Sequence, residues 1–200
     1  MAEFWEEAFK NKQEMWGFEP SKSTLLTFDF FQKQNLKNIL IPGIGYGRNA
    51  QLFRNAGMKV TGIEISKTAI ALAHQHFGKD LLIHHGSVTK MPFDEKQYDG
   101  IYAYALIHLL DKAERKKFIQ DCYNQLAENG WMAFAMVSKK AAIYRQGAEV
   151  DTDCFEVFEG VNMFFYDTKS IQEEFGKYGI VEVSEVIDVY PFYLVICKKS

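Results

Sequence analysis

From about residue 38 onward, short apolar runs alternate with segments of helical length, and this alternation limits the fold more than any other feature of the sequence. The first three runs are NILIPG, KVTGIEIS and DLLIHHGS, and the predicted helices between them end at Gly57 and Gly78. Glycine commonly ends a helix, and strands that alternate with helices favour a parallel sheet covered by helices on both faces. We therefore predict an α/β fold.

The pattern continues through the second half of the chain. YDGIYAYALI and GWMAFAMVS are predicted strands, separated by a long helix in DKAERKKFIQDCYNQLAENG, where Asp111 and Glu114 have the spacing of a capping box. A further helix in DTKSIQEEFGKYG precedes two β-rich runs that are separated only by Pro191 and its neighbours. So short a link forces these two strands to pair antiparallel. We expect a seven-stranded, mostly parallel sheet with an antiparallel C-terminal strand.

The flanking segments indicate one domain over residues 1–200. Two helices, in FWEEAFKNKQEMW and STLLTFDFFQKQN, would form an N-terminal cover over residues 1–35. They would either protect a sheet edge or close a ligand site, and the sequence leaves both open. After the core at 36–138, the periodicity fades in an aromatic insert at 139–166, which is too apolar for a flexible linker and suggests a lid or pocket wall. A helix and a hairpin complete the chain at 167–200.

Composition excludes several classes of function. A chain of 200 residues that is 48% hydrophobic suits one domain with a real core. Its net charge of −3 provides no positive field for nucleic acid, and apolar runs such as WMAFAMV are too short to span a bilayer. The three cysteines form neither a disulfide framework nor a zinc motif. We expect a cytoplasmic protein that acts on a small molecule, without a metal; its oligomeric state stays open.

The loop PGIGYG after the first strand indicates a ligand site. Gly43, Gly45 and Gly47 let the backbone turn sharply and let a ligand approach closely. From Gly45 the loop also reads G-x-G-x-x-A, a variant of the nicotinamide-dinucleotide fingerprint, although that motif normally starts directly after the strand. An NAD(P)-dependent oxidoreductase is therefore an alternative. Glu64 ends the second strand about 20 residues further on, where an acid can accept hydrogen bonds from the ribose of any adenosine ligand.

With these motifs in place, the chain resembles the class I S-adenosylmethionine-dependent methyltransferases over roughly residues 36–138. The resemblance is carried by ILIPGIGYG, VTGIEIS, GSVTKMPF and YDGIYAYALIHLL. It implies a Rossmann-like, doubly wound fold and direct in-line transfer of a methyl group from S-adenosylmethionine, with S-adenosylhomocysteine as product. Pro42 in PGIGYG resembles the thiopurine and thiol methyltransferases, and GRNA resembles the tellurite-resistance methyltransferases. Both groups act on small, often soft, nucleophiles; a non-catalytic binding module is a further alternative.

The resemblance also implies a set of site residues. Trp16, in EMWGFEPS, would cover the methionine part of the cofactor, and Ser87 stands where relatives commonly carry an acid. A hydroxyl can still bind an amino group there, but without charge. The implied cofactor-binding residues are Trp16, Gly43, Ile44, Gly45, Tyr46, Gly47, Asn49, Glu64, Ile65, Ser87, Val88 and Tyr104.

His108 and Tyr104 are the candidate catalytic residues. His108 follows the fourth strand at the carboxyl edge of the sheet, where open α/β folds bind ligands. A base is needed only if the acceptor must lose a proton, and either residue could then serve; a packing role for His108 is equally compatible with the sequence. The histidine pairs at 74 and 76 and at 84 and 85 diverge on a helix and a strand, so they predict no metal site.

Overall fold

The computed structural model describes residues 2–200, so Met1 of the expected N-terminal cover lies outside the described residues. A seven-stranded sheet with the order β3-β2-β1-β4-β5-β10-β9 forms the centre of the fold. β10 is antiparallel to both neighbours, while the first five strands are parallel. The predicted seven-stranded sheet with one antiparallel strand near the C-terminus is thus confirmed. Its strands are β1 Asn38–Pro42, β2 Lys59–Glu64, β3 Leu82–His85, β4 Tyr98–Tyr104, β5 Leu126–Val137, β9 Ile180–Ile187 and β10 Pro191–Lys198.

Helices cover both faces of this sheet. On β1, Ile39 and Ile41 join one buried cluster with Phe31 and Phe53, whereas Leu40 joins another with Phe118. Alternate residues of a strand point to opposite faces, so one face packs under α2 and α3 and the other under α5 and α6. The helices are α1 Ala2–Lys12, α2 Lys22–Lys33, α3 Ala50–Asn55, α4 Lys67–Phe77, α5 Lys112–Gln125 and α6 Thr168–Phe175.

Two helix starts agree with the sequence prediction, and two helix ends do not. The Ser66 side chain accepts a hydrogen bond from Ala69 N, and both hydrogen bonds of the capping box at Asp111 are present. However, α5 stops at Gln125 rather than at Gly130, because the fully buried Leu126 already pairs with Tyr98 as the start of β5. α1 likewise ends at Lys12 instead of continuing to Trp16.

The insert at 139–166 contains a second sheet that the sequence did not predict. Its strands are β6 Ala148–Asp151, β7 Cys154–Phe158 and β8 Val161–Phe164, which pair antiparallel in that order. Lys139 Nζ lies 2.6 Å from carboxylate oxygens of both Asp153 and Asp167, which ties the insert to the start of α6. The strands are four or five residues long and partly exposed, so their alternation is too short to stand out in the sequence.

Within residues 2–200, no helix is long and apolar enough to cross a membrane.

Candidate active site

A cavity of about 300 Å³ opens beyond the carboxyl ends of β1, β2 and β4, the edge at which open α/β sheets bind ligands. Its lining falls into two sets according to the elements that carry the residues. The loop half consists of the segment after β1 and the ends of β2 and β3, with residues Gly43, Ile44, Gly45, Tyr46, Asn49, Glu64, Ile65, Ser87 and Val88, covered by Trp16. The aromatic half consists of Tyr104, His108, Phe158, Met163, Val189, Tyr190 and Phe192.

The loop after β1 needs glycine for both conformation and space. Gly43 and Gly45 have φ of 68° and 58°, in the left-handed region that other residues rarely adopt. Gly43 N and Ile44 N both donate to Ile63 O, at 2.8 and 3.1 Å, so the loop turns back onto the end of β2. A side chain at Gly43 would come within 3.0 Å of Leu106. The backbone therefore forms the floor of the loop half.

Gly47 does not line the cavity, in contrast to the expectation from the glycine motif. Its φ is 87°, and a Cβ at this position would lie 2.8 Å from the ring of Phe77 at the end of α4. Gly47 thus lets α4 pack closely against the loop. Arg48, the next residue, does line the cavity, and no motif had indicated it.

Glu64 is the anchor of the loop half. The side chain is buried, and Oε2 accepts a hydrogen bond from Gly45 N at 2.8 Å. Oε1 accepts from Ile65 N and Ser66 N at 2.8 and 2.9 Å. Burial raises the pKa of Glu64, and these three backbone donors act against that rise. A carboxylate can accept about four hydrogen bonds, so Glu64 fixes the loop and keeps one acceptor position for a ligand.

Trp16 is held over the loop half by its backbone. Tyr46 Oη accepts from Trp16 N at 3.2 Å and donates to Gly17 O at 2.6 Å, while Arg48 Nη1 donates to Trp16 O at 2.7 Å. The Trp16 and Tyr46 rings lie nearly parallel, 7° apart, with 6.3 Å between centroids. The Trp16 side chain lines the cavity yet is 44% exposed, so a stacked aromatic pair borders the opening of the loop half.

Helix α1 also contributes to the cavity through Trp5 and Phe9, which the sequence did not mark as site residues. Glu6 attaches helix α1 to the start of α4, because its carboxylate accepts hydrogen bonds from Ser66 Oγ and Thr68 Oγ1, both at 2.7 Å. The hydrogen bonds from Thr68 and Ser66 lower the pKa of Glu6 to about 2. Helix α1 therefore forms part of the cavity wall.

Other predicted residues of the loop half already have local partners. Ser87 Oγ accepts from Thr89 N at 3.3 Å and lies 2.8 Å from Thr89 Oγ1, as the cap of a short 3₁₀ turn. Asn49 Oδ1 accepts from Ser21 N at 3.1 Å. Both residues therefore shape the cavity, in addition to any contact with a ligand.

In the aromatic half, neither predicted catalytic side chain is arranged as a base. His108 Nδ1 accepts a hydrogen bond from Val137 N at 3.3 Å, and burial lowers the pKa of His108 to about 3. Burial, together with the negative charge of Asp188, raises the pKa of Tyr104 to about 12. Tyr104 stacks on Phe192 with 5.8 Å between centroids. Near neutral pH, His108 is uncharged and Tyr104 keeps its proton.

The rest of the aromatic half comes from segments without any motif. Phe158 and Met163 belong to the insert, whose role as a pocket wall was expected, and Val189 and Tyr190 belong to the turn between β9 and β10. Among the lining residues of the described chain, Glu64 and Arg48 are the only Asp, Glu, Lys or Arg, and both belong to the β1 and β2 side. No group of three or more potential metal ligands occurs within residues 2–200.

Comparison with known proteins agrees with this geometry. Residues 40–134 match the family model of a methyltransferase domain. Among solved structures, 1,6-didemethyltoxoflavin-N1-methyltransferase of Burkholderia thailandensis is 12% identical with a TM-score of 0.76, over 100% of this chain and 87% of that one. Magnesium protoporphyrin IX methyltransferase of Synechocystis is 11% identical with a TM-score of 0.72, over 100% and 97%. No curated protein matches the sequence.

A third similar structure is a S-adenosylmethionine-dependent methyltransferase of Clostridium acetobutylicum, 12% identical with a TM-score of 0.73 over 98% of this chain and 99% of that one. The seven-stranded fold is the one found in these methyltransferases, and residues 40–134 match a methyltransferase domain. The comparisons therefore agree with the resemblance to S-adenosylmethionine-dependent methyltransferases, and none of them supports the nicotinamide-dependent alternative.

Proposed function

We propose that the protein transfers the methyl group of S-adenosylmethionine to a small acceptor that carries no charged group besides its nucleophile. The observation that carries this proposal is that one cavity joins the loop half to the aromatic half. A cofactor in the first would therefore share an enclosed space with an acceptor in the second. The cavity volume of about 300 Å³ lies at the small end of the usual range for ligand sites.

The residues of the loop half fit an adenosine ligand with a sulfonium group. Glu64 has one acceptor position left for a ribose hydroxyl, and Ser87 and Val88 border the place expected for adenine. Trp16 and Tyr46 present aromatic faces, and a cation over such a face gains about 0.5 to 2 kcal/mol. When bound, the cofactor supplies an already activated methyl group.

The aromatic half supports an acceptor with an apolar, flat body. The residues of the aromatic half include no Asp, Glu, Lys or Arg that could pair with a charged group, and an unpaired buried charge is costly. The structurally similar Burkholderia enzyme named above binds 1,6-didemethyltoxoflavin, a small heteroaromatic molecule. Together with the resemblance to thiopurine and tellurite-resistance enzymes, this favours a soft nucleophile such as an aromatic thiol or a heteroaromatic nitrogen.

Catalysis then depends on position and on the exclusion of water. The aromatic walls hold the acceptor, and the loop half holds the cofactor, so that the nucleophile and the methyl group meet in line. In such an arrangement the protein needs no strong general base. This agrees with the high pKa of Tyr104 and the low pKa of His108.

Two measurements test this proposal. Calorimetry with S-adenosylhomocysteine is expected to show saturable binding to one site per chain, and mass spectrometry is expected to detect methylated product from a panel of thiols, heteroaromatic amines, phenols and carboxylates. Absence of cofactor binding would overturn the proposal. Binding without turnover on the whole panel would instead favour a non-catalytic binding module.

A further inference from the structure

His108 has a fixed hydrogen-bond role that the methyltransferase fold does not assign. Its ring packs edge-on against Phe192, with 5.8 Å between ring centroids, and Nδ1 lies 3.3 Å from Val137 N. A backbone N–H can only donate a hydrogen bond, so Nδ1 must be the acceptor and carries no hydrogen. In the neutral ring the hydrogen is then on Nε2.

The second ring nitrogen of His108, Nε2, is not used by the hydrogen bond to Val137. Nε2 has no hydrogen-bond partner within residues 2–200. The side-chain atoms that are both buried and without a partner are Gln125 Oε1 and Ser184 Oγ, and Nε2 is not one of them. Nε2 therefore retains accessible surface. Because the residue is buried from the outside and lines the cavity, that surface belongs to the aromatic half.

The surroundings keep the ring neutral. Burial is the cause of the low pKa of His108, and no charged neighbour contributes. Of the elements around His108, β8 carries no titratable residue, and β5 and β10 contact the ring through the uncharged Val137 and Phe192. Arg115 of α5 makes its hydrogen bonds to Leu110 O and Glu174 instead. The other titratable residues that line the cavity are Tyr46, Arg48, Glu64, Tyr104 and Tyr190.

We propose that His108 donates its Nε2–H to the nucleophilic atom of the acceptor and does not remove a proton from it. This inference rests on the proposed function. It restricts the acceptor to molecules whose nucleophilic atom has a free lone pair without the help of a base from the enzyme. A thiol fits when its proton goes to water. The thiolate lone pair then forms the new sulfur–carbon bond, and the electron pair of the broken bond stays on the cofactor sulfur. Aliphatic alcohols, which need a base, are excluded.

Two variants of similar size distinguish hydrogen-bond donation by His108 from a base role and from a purely structural role. In His108→Asn the side-chain oxygen can replace Nδ1 as acceptor for Val137 N, but nothing reaches the position of Nε2. In His108→Gln the amide N–H can occupy the position of Nε2, while the contact with Val137 is lost. Thiophenol is the probe, and calorimetry with S-adenosylhomocysteine checks that each variant retains the cofactor site.

We expect His108→Asn to lower kcat/KM for thiophenol roughly tenfold to a hundredfold, the effect of losing one hydrogen bond to a charged or partly charged atom. His108→Gln should recover most of that loss. A base role predicts that both variants lose activity equally, and a purely structural role predicts that Asn is the better substitute. Either result would overturn the proposal.

A second measurement does not depend on turnover. In protein with ¹⁵N-labelled histidine and bound S-adenosylhomocysteine, the nitrogen shifts of His108 should show hydrogen on Nε2 and no titration between pH 6 and about 9. Hydrogen on Nδ1, or a charge change in that range, would overturn the assignment. If thiophenol is not methylated, the proposed action on aromatic thiols fails, and this spectrum still decides the state of His108.

If the thiols are methylated, the pH dependence of kcat/KM is a third test of the proposal. The rise of kcat/KM should move with the thiol pKa across substituted thiophenols, because the acceptor ionises by itself. A rise at one constant pH for all thiols would identify an enzyme base and contradict the proposal.

Discussion

The loop half of the cavity is held by backbone hydrogen bonds at the ends of parallel strands, whereas the aromatic half is a wall assembled from segments far apart in the sequence. In the loop half, Glu64 alone binds three backbone N–H groups. In the aromatic half, Phe158, Tyr190 and Phe192 contribute apolar surface and no charge. The first arrangement fixes one ligand shape, and the second can change its specificity through a few side chains without disturbing the sheet.

The largest effect is expected for Glu64→Ala. This change removes the carboxylate and leaves Gly45 N, Ile65 N and Ser66 N without their partner. The cost is about 1–3 kcal/mol for the buried Ser66 N and less for the two partly buried donors. The Kd for S-adenosylhomocysteine should rise roughly a hundredfold or more, and Tm should fall. Calorimetry and thermal unfolding measure both. Glu7→Ala, on the exposed face of α1, is the control, and an unchanged Kd would remove Glu64 from the site.

A smaller and more selective effect is expected for Trp16→Ala. Loss of an aromatic face worth about 0.5 to 2 kcal/mol to a cation should weaken S-adenosylmethionine binding roughly threefold to thirtyfold. S-adenosylhomocysteine has no sulfonium charge and should be affected less.

Phe18→Ala is the matched control for Trp16. Phe18 is 42% exposed, close to the 44% of Trp16, and packs on Tyr46 at 6.1 Å, but it does not line the cavity. Titration of each variant with both ligands decides the matter. Equal weakening of the two ligands by Trp16→Ala would show that the ring does not sense the positive charge.

Phe158→Ala should alter the aromatic half alone. The side chain is 52% exposed, so its removal costs little stability, yet it lines the cavity. We expect KM for the acceptor to rise about threefold to tenfold, for a partly buried contact worth roughly 1 kcal/mol. The Kd for S-adenosylhomocysteine should not change. Val181→Ala, at a residue that is 58% exposed and lies outside the cavity, is the control. A change in cofactor affinity on Phe158→Ala would argue against separable halves.

The smallest effect concerns the attachment of α1 over the loop half. The folded-state pKa of Glu6 is about 2, below its ordinary 4.5, so its hydrogen bonds stabilise the fold above pH 4.5 and are lost as the pH falls through 2. Glu6→Gln should lower Tm by roughly 2–4 °C near neutral pH, corresponding to about 1 kcal/mol. The difference from wild type should disappear toward pH 2. A difference that persists in acid would contradict the role of the carboxylate.

The same contrast explains what could be predicted from the sequence. Gly43, Gly45 and Glu64 lie at fixed positions relative to strand ends, and the spacing of the strands is visible as apolar periodicity. Ser66 and Asp111 were predictable as helix caps because a cap depends on residues within one turn. The packing of Gly47 against Phe77 was not predictable, since it depends on a helix 30 residues away and leaves no local pattern.

Most of the aromatic half could not be found in this way. Met163, Tyr190 and Phe192 approach the cavity only through the placement of the insert and of the turn before β10. Apolar residues in such segments look like ordinary core residues in the sequence. The tautomer of His108 likewise depends on a contact with Val137, a residue 29 positions away, which no spacing rule indicates.

The most direct test compares two acceptors that differ in one charge: para-mercaptobenzoic acid, ionised at its carboxylate, and its methyl ester. Mass spectrometry with deuterated methyl cofactor would measure kcat/KM for each. An aromatic half without compensating charge predicts at least a roughly tenfold preference for the ester, since the buried carboxylate would find no partner. Equal rates, a preference for the free acid, or no methylation of either would contradict the proposed function.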